Sequence, residues 1–360
     1  MAFTAEELSN INNSVLETYL DKGTVFKQNV QNKPMLASFN AKAESFPGGR
    51  EFISFAVKSG QGGLQLQGYS GDDQVRYGNI ANTKRPRFPW REHHIGLTVT
   101  HTELKNEGVD VIEDGSDQST REMGGREEHV LAKLLDEKMD SMGEDYAISL
   151  DLLIHGDGSV DPKALAGIRS LILDNPGSGS TGGLSRVAHP WWANRAATTA
   201  FAAAGGQGPI TSTPANGGAL IEFLDKELRQ LRRRSGGTAK MEFFAGSDFI
   251  DAYKKEMRAN GEYSNTGWSN GNVDGSMPDP KHAGTQFVYD PSLDDLGFAK
   301  RCYALDMSKK GIRLFYMDGN RMKKHKPARP YDRYVMYNGI TTTAVLGARR
   351  LNSSAVYDIV

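Results

Sequence analysis

The chain has 360 residues, enough for two or three buried cores at roughly 100–200 residues each, which excludes a mini-protein. Forty-three Lys and Arg stand against 44 Asp and Glu, a formal charge of −1, so the whole-chain basic excess of a dedicated nucleic-acid binder is absent and any polyanion contact must be local. The single cysteine, Cys302, excludes an intrachain disulfide and a Cys-rich zinc site and suits a reducing compartment.

Forty glycines are scattered without a Gly-X-Y period, a content above the average of about 7 %, which predicts many loops and tight turns. The start, Met1-Ala-Phe-Thr-Ala-Glu-Glu, has neither the basic residues nor the apolar run of a secretory signal. Apolar stretches such as 200–204 and 219–221 fall far short of the ~20 residues that span a bilayer. These features predict a soluble, intracellular α+β chain with no membrane partner.

Residues 4–20 read as an amphipathic helix, with Leu8, Ile11, Val15 and Tyr19 on one stripe and Thr4 with Glu7 as a Thr-x-x-Glu capping box. From Lys22-Gly23 to about residue 45 the apolar residues lose their rhythm, which reads as an extended arm. Phe52, Ile53, Phe55 and Val57 lead into Ser59-Gly-Gln-Gly-Gly63, and Leu64 and Leu66 alternate with Gln65 and Gln67 beyond it, predicting a long glycine-tipped hairpin. A ribbon so poor in apolar residues is marginal alone and must lie on something else. Within 87–104, Ile95, Leu97 and Val99 alternate with Gly96, Thr98 and Thr100, as in a strand with one buried face.

The strongest periodicity spans about 121–154, where Leu131, Leu135, Met139, Met142 and Tyr146 repeat at three and four residues and acidic side chains fill the opposite face. A helix of that length is a rod of about 45 Å, ended by Gly156-Asp-Gly158. Residues 164–215 read as mostly irregular. A second helix follows over about 216–234, with Leu220, Leu224, Leu228 and Leu231 inside and Arg232-Arg-Arg234 at its C-terminal end, where cations suit the helix dipole. Then come a strand over 240–244, a short helix from Ser247 bearing Phe249, Ile250, Tyr253 and Met257, a loop over 261–283, and strands at 285–289, 312–316, 333–337 and 341–346.

Motifs that point to catalysis fail on context. Gly177-Ser-Gly179-Ser-Thr-Gly182 matches Gly-x-Gly-x-x-Gly, but a dinucleotide site needs a helix to open at the loop so that its N-terminus meets the pyrophosphate; Pro190 downstream breaks one, and the reading is a surface loop. Gly267-Trp-Ser269-Asn-Gly271 matches a nucleophile elbow but lies in an Asn/Gly-rich loop without the required strand and helix. His93 and His94 point to opposite faces of a strand, and His101 is too far along it to share one ion with His93, so these residues with Glu103 do not read as a metal site. Residues 300–333 hold eleven Lys or Arg against three Asp, whereas 126–151 hold eight acidic residues against three basic ones. Opposite patches on a near-neutral chain read as complementary surfaces between copies.

In this order the features resemble the major capsid protein of tailed double-stranded DNA bacteriophages, the Hong Kong 97-like fold. The segments 167–175 (Gly-Ile-Arg-Ser-Leu-Ile-Leu-Asp-Asn) and 182–192 (Gly-Gly-Leu-Ser-Arg-Val-Ala-His-Pro-Trp-Trp) carry the most specific part of the likeness. The resemblance implies an α+β chain with an N-terminal arm (1–45), an extended hairpin loop (46–85), a peripheral domain (86–163) including a spine helix (121–155), an axial domain (164–330) and C-terminal strands returning toward the peripheral domain (331–360).

It further implies a structural subunit, not an enzyme, whose copies form hexamers and pentamers of an icosahedral shell around double-stranded DNA. A cargo-compartment shell of the same fold is the alternative, and a soluble enzyme holding a phosphate ligand at the glycine loop is the rival from another class. The implied partners are other copies of the chain, with a scaffolding protein, portal and decoration protein as further candidates and packaged DNA contacted non-specifically; the implied location is the virion capsid, assembled in the host cytoplasm. Some relatives crosslink Lys to Asn between subunits, and Lys58 near the hairpin tip is a candidate by position only. No catalytic, cofactor-binding or metal-binding residue is assigned from the sequence, and no cofactor is implied.

Overall fold

The computed structural model describes residues 2–4, 33–60, 64, 66–79, 82–106, 110–112, 125–212, 219–259, 280–325 and 334–360. The helix expected over 4–20, nearly all of the arm before residue 33 and the loop holding Gly267-Trp-Ser269-Asn-Gly271 lie outside them.

The long helix forms as its periodicity predicts, over Gly125–His155. In its described C-terminal half the apolar stripe continues beyond Tyr146 through Leu150 to Ile154, all buried, and Asp140, Glu144 and Asp145 face water. Its end is fixed by close backbone contact. Gly167 sits against the last turn so tightly that a Cβ there would lie 2.2 Å from the Leu153 carbonyl oxygen and 2.3 Å from that of Ile154; only glycine admits that approach.

Two sheets organise the rest. In the first, the strand Val335–Ala348 is central: it pairs antiparallel with Arg91–Thr100, Ile312–Met317 and Lys323–His325, and Glu44–Phe46 adds in parallel beyond Ile312–Met317. Arg91–Thr100 alternates as expected, its Val99 face inward and its even-numbered neighbours out. The second sheet runs in the order Arg195–Ala197, Ala355–Asp358, Arg301–Asp306, Met241–Ala245, Thr285–Tyr289, Lys281–His282. Helices Ala219–Ser235 and Ser247–Ala259 pack with it, burying Leu220, Leu224, Leu228, Leu231, Phe249, Ile250 and Tyr253 in one cluster. A separate core joins the long helix to the first sheet around Leu314, Phe315 and Leu346.

Several expectations change. Residues 34–46 are not extended arm: Pro34–Ala41 is a helix whose Met35, Leu36 and Phe39 are fully buried, and Glu44–Phe46 is a sheet strand. Three apolar side chains on one short helix carry too little periodicity to stand out, yet they fill a gap in the core. The hairpin also closes elsewhere. Phe52–Ser54 and Val57–Lys58 pair with Arg87–Pro89 and Thr83–Lys84, so the described Leu64, Leu66 and Gln67 form no return strand but lie in the loop that follows Lys58. The strands expected at 333–337 and 341–346 are one, because cross-strand pairing with Arg91–Thr100 carries the chain straight through Asn338-Gly339, a dipeptide that locally favours a turn. Arg301–Asp306, wholly buried at the centre of its sheet, shows no alternation and was not among the expected strands; a strand covered on both faces has no period-two signal. Nor does residue 330 coincide with a sheet boundary, since Ile312–Met317 and Lys323–His325 share a sheet with Val335–Ala348.

Candidate functional site

The glycine motif is a β-hairpin. Ser180–Thr181 pairs with Leu184–Ser185 across Gly182 and Gly183, both with positive φ, at 60° and 77°. No helix opens there, so the loop offers no helix N-terminus to a pyrophosphate, and the dinucleotide reading has no geometric basis. The hairpin instead docks onto the base of the extended loop: Arg87 donates its backbone N–H to the Gly182 carbonyl at 2.9 Å, and a Cβ at Gly182 would meet Pro86 at 2.7 Å.

Arg186 locks this arrangement from below. Its side chain, 1 % exposed, donates to Thr181 Oγ1, Asn194 Oδ1 and the Leu171 carbonyl at 2.5–3.0 Å. Trp192 Nε1 donates to the Thr181 carbonyl, and the Asn194 amide donates to Leu173. All these acceptors are uncharged, and burial lowers the Arg186 pKa to about 10. The two segments that carry the sequence resemblance therefore meet around one guanidinium.

A second buried polar cluster ties the end of the long helix to the other sheet. His155 Nδ1 donates to the Asp151 carbonyl and Nε2 donates to Asp290 Oδ2, both at 2.9 Å. Ser292 donates to Asp151 Oδ2 at 2.6 Å, and Lys33 Nζ approaches the same oxygen at 3.3 Å. Asp290 also accepts from the Ser292 N–H. Both ring nitrogens face acceptors, an arrangement that favours the protonated imidazole of His155. Burial opposes that charge, but the Asp290 hydrogen bond and the charges of Asp290 and Asp151 outweigh it and raise the His155 pKa. Asp151, counted in the sequence with the acidic solvent face, thus belongs to the interior.

The other histidines stay apart. The Leu165 N–H donates to His93 Nε2 at 3.1 Å, and burial lowers the His93 pKa, so that ring is neutral and its nitrogen is taken. His94 lies edge-on to His325 with centroids 6.3 Å apart, His101 is buried at the start of the helix His101–Asn106, and Glu103 pairs with Lys138 at 2.7 Å. Among the described residues no group of three His, Cys, Asp or Glu side chains is disposed to hold a metal.

The basic run 300–333 is not one surface. Arg301 is buried and paired with Asp358 and Asp174, and Arg313 donates to the Ser308 carbonyl and to Lys42. Lys300, Lys309, Lys310, Arg321, Lys323 and Lys324 are exposed; residues 326, 329 and 333 lie outside the described part. Two internal arginines were indistinguishable in the sequence from their solvated neighbours, since only the acceptors folded against them, carboxylates for Arg301 and backbone carbonyls for Arg313, mark the difference.

What the single chain leaves open is apolar. The loop between residues 58 and 83 exposes Leu64, Leu66, Tyr69 and Tyr77, with Leu66 and Tyr77 almost entirely in water. One turn apart on the long helix, Ile148 and Leu152 are 53 % and 55 % exposed. Lys58, at the root of the loop, faces solvent and pairs in register with Thr83.

No protein-family model and no curated protein matches the chain. Solved structures do. The chain is similar over 91 % of its length to 92 % of a chain in the capsid asymmetric unit of cyanophage A-1(L), at 14 % identity and a TM-score of 0.58. It is similar over 90 % of its length to 92 % of a chain in the capsid of Myoviridae phage XM1, at 13 % identity and a TM-score of 0.53. For the mature capsid of bacteriophage PhiM1 the figures are 89 %, 86 %, 9 % and 0.52. The mixed helix-and-strand fold is similar to that of phage capsid proteins.

Proposed function

We propose that the chain is the structural subunit of an icosahedral bacteriophage capsid of the Hong Kong 97-like type, self-assembling as hexamers and pentamers into a shell around double-stranded DNA. The fold likeness over about nine-tenths of both chains supports this reading, and one observation carries it further. A loop that exposes four large apolar side chains is costly in an isolated protein but expected where it is covered by other copies. Obligate assemblies bury thousands of Å² in such overlaps.

In this reading the residues 46–85 form the extended loop, 86–163 the peripheral domain with its spine helix, and the six-stranded sheet with its two helices the axial domain. The subunit acts by position and not by catalysis. Its partners are first other copies, with scaffolding, portal and decoration proteins as further candidates, and its location is the virion. No helix among the described residues is long and apolar enough to cross a membrane. Nothing in the geometry favours the enzyme reading, whose glycine loop is a hairpin braced by Arg186.

Negative-stain electron microscopy with sedimentation velocity on the chain expressed alone tests the proposal. Closed shells or capsomer rings are the expected outcome. A homogeneous monomer or dimer that persists when scaffold or other phage components are added would sink it.

A further inference from the structure

At the edge of the six-stranded sheet, beside Arg195–Ala197, lies a recess of about 540 Å³ whose charge the chain does not balance. Arg186, Arg195 and Arg234 line it with one carboxylate, Glu227; the Arg186 side chain is buried and engaged by its own hydrogen bonds, so Arg195 and Arg234 are the cations within reach of a ligand. Glu227 is already engaged: Arg195 Nε and Nη2 donate to it at 2.5 Å each, and the Tyr357 hydroxyl donates at 3.1 Å. Arg186 touches only neutral acceptors. Arg234 makes no hydrogen bond or ion pair among the described residues; burial and the nearby Arg195 and Arg233 charges lower its pKa against the opposing Glu227 charge. One accessible positive charge, that of Arg234, therefore lacks a bonded counter-charge at the recess, and low-dielectric walls strengthen its field.

The uncharged walls narrow the chemistry. Phe201 and Phe223 line the recess together with Pro176 and Pro190, surface that gains from burying methylenes and nothing from a hydrated phosphate. A planar carboxylate also matches the guanidinium fork. We propose that the recess binds a carboxylate carried on an apolar stem, supplied by an Asp or Glu side chain of a second copy of the chain. In naming a second copy this rests on the shell reading; the ligand chemistry does not. The chain's own surface offers such groups: Asp72 and Asp73 stand between the exposed Tyr69 and Tyr77, and exposed Glu144 precedes Ile148 by one helical turn.

The test uses the full chain with benzoate as the probe, and inorganic phosphate and a short DNA duplex as competitors. Titration calorimetry on dissociated chain is expected to show saturable benzoate binding, weakened about tenfold or more by Arg234→Glu, the worth of one hydrogen bond to a charged group. Arg234→Gln, which removes charge but keeps the stem, should weaken binding less while leaving the thermal midpoint unchanged, so a folding defect is separated from a lost site. In sedimentation velocity, saturating benzoate and Arg234→Glu should each lower the assembled fraction of chain. Absence of benzoate binding, or preferential binding of phosphate or duplex that Arg234→Glu abolishes, overturns the carboxylate site. Benzoate binding with assembly untouched by both probe and variant overturns the second copy as its source. Benzoate binding in a chain that never self-associates counts against the shell reading and leaves the carboxylate site standing.

Discussion

His155 is the residue whose charge state the fold itself sets. Its folded pKa is raised above the ordinary 6.5, so its contribution to stability is complete below that unfolded value and is lost as pH rises through the folded one. Replacing it with leucine leaves the buried Asp290 without the imidazole that pairs with it, only the Ser292 N–H remaining, a change that costs on the order of 3–5 kcal/mol for a broken buried pair. Urea unfolding of wild type and His155→Leu should therefore show a stability gap that is widest below the ordinary imidazole pKa of about 6.5 and narrows as pH rises through the raised folded value. A gap that is flat with pH would mean that the imidazole is not charged in the folded chain. Neither Asp290 nor Ser292 is near His155 in sequence, and this is why its role was invisible there: the i, i+4 contact with Asp151 is legible on a helix, but the partner 135 residues away is not.

Among the elements, the long helix over Gly125–His155 was legible and its anchoring was not. Its periodicity, length and glycine stop could be read from 121–156 because an amphipathic helix repeats its core contacts every turn. That Gly167 seals its end depends on a chain reversal through residues 156–167 that leaves no pattern. Gly167→Ala forces a methyl into the Leu153 and Ile154 carbonyls, where backbone cannot yield as a side chain can. A loss of about 3 kcal/mol or more is expected, read as a lowered thermal midpoint; an unchanged midpoint would show that the two segments can part at little cost. The extended loop behaves in the opposite way. Leu66→Ser with Tyr77→Ser removes side chains that touch water alone in the single chain, so unfolding free energy should stay within about 0.5 kcal/mol. The assembled fraction, followed by sedimentation velocity, should fall sharply. A double variant that assembles like wild type would mean that those side chains face solvent in the particle too.

For the whole molecule, near-neutral charge conceals an uneven distribution. Exposed Lys309, Lys310, Lys323 and Lys324 are set against exposed Asp140, Glu144 and Asp145 on the long helix. If such faces meet between copies, raising ionic strength shortens the screening length from about 10 Å at 0.1 M to about 3 Å at 1 M, and light scattering should record weaker assembly in high salt. Assembly that is indifferent to salt would assign the contacts to the apolar loop and not to charge. Burial sharpened this prediction, because Arg301, Arg313 and Asp151 drop out of the surface count once folded.

The amino-acid sequence alone determined the helices with repeating apolar faces, the alternating strand Arg91–Thr100, and the order of parts that resembles a phage capsid subunit. These are local or serial properties, written wherever a segment buries one face of itself. The tertiary structure decided what depends on distant partners. It turned the glycine motif into a hairpin, joined two expected strands through Asn338-Gly339, drew 34–46 into the core and buried Arg301–Asp306 at a sheet centre. It also separated internal charges from surface ones, because a charge leaves water only where folding brings an acceptor to it.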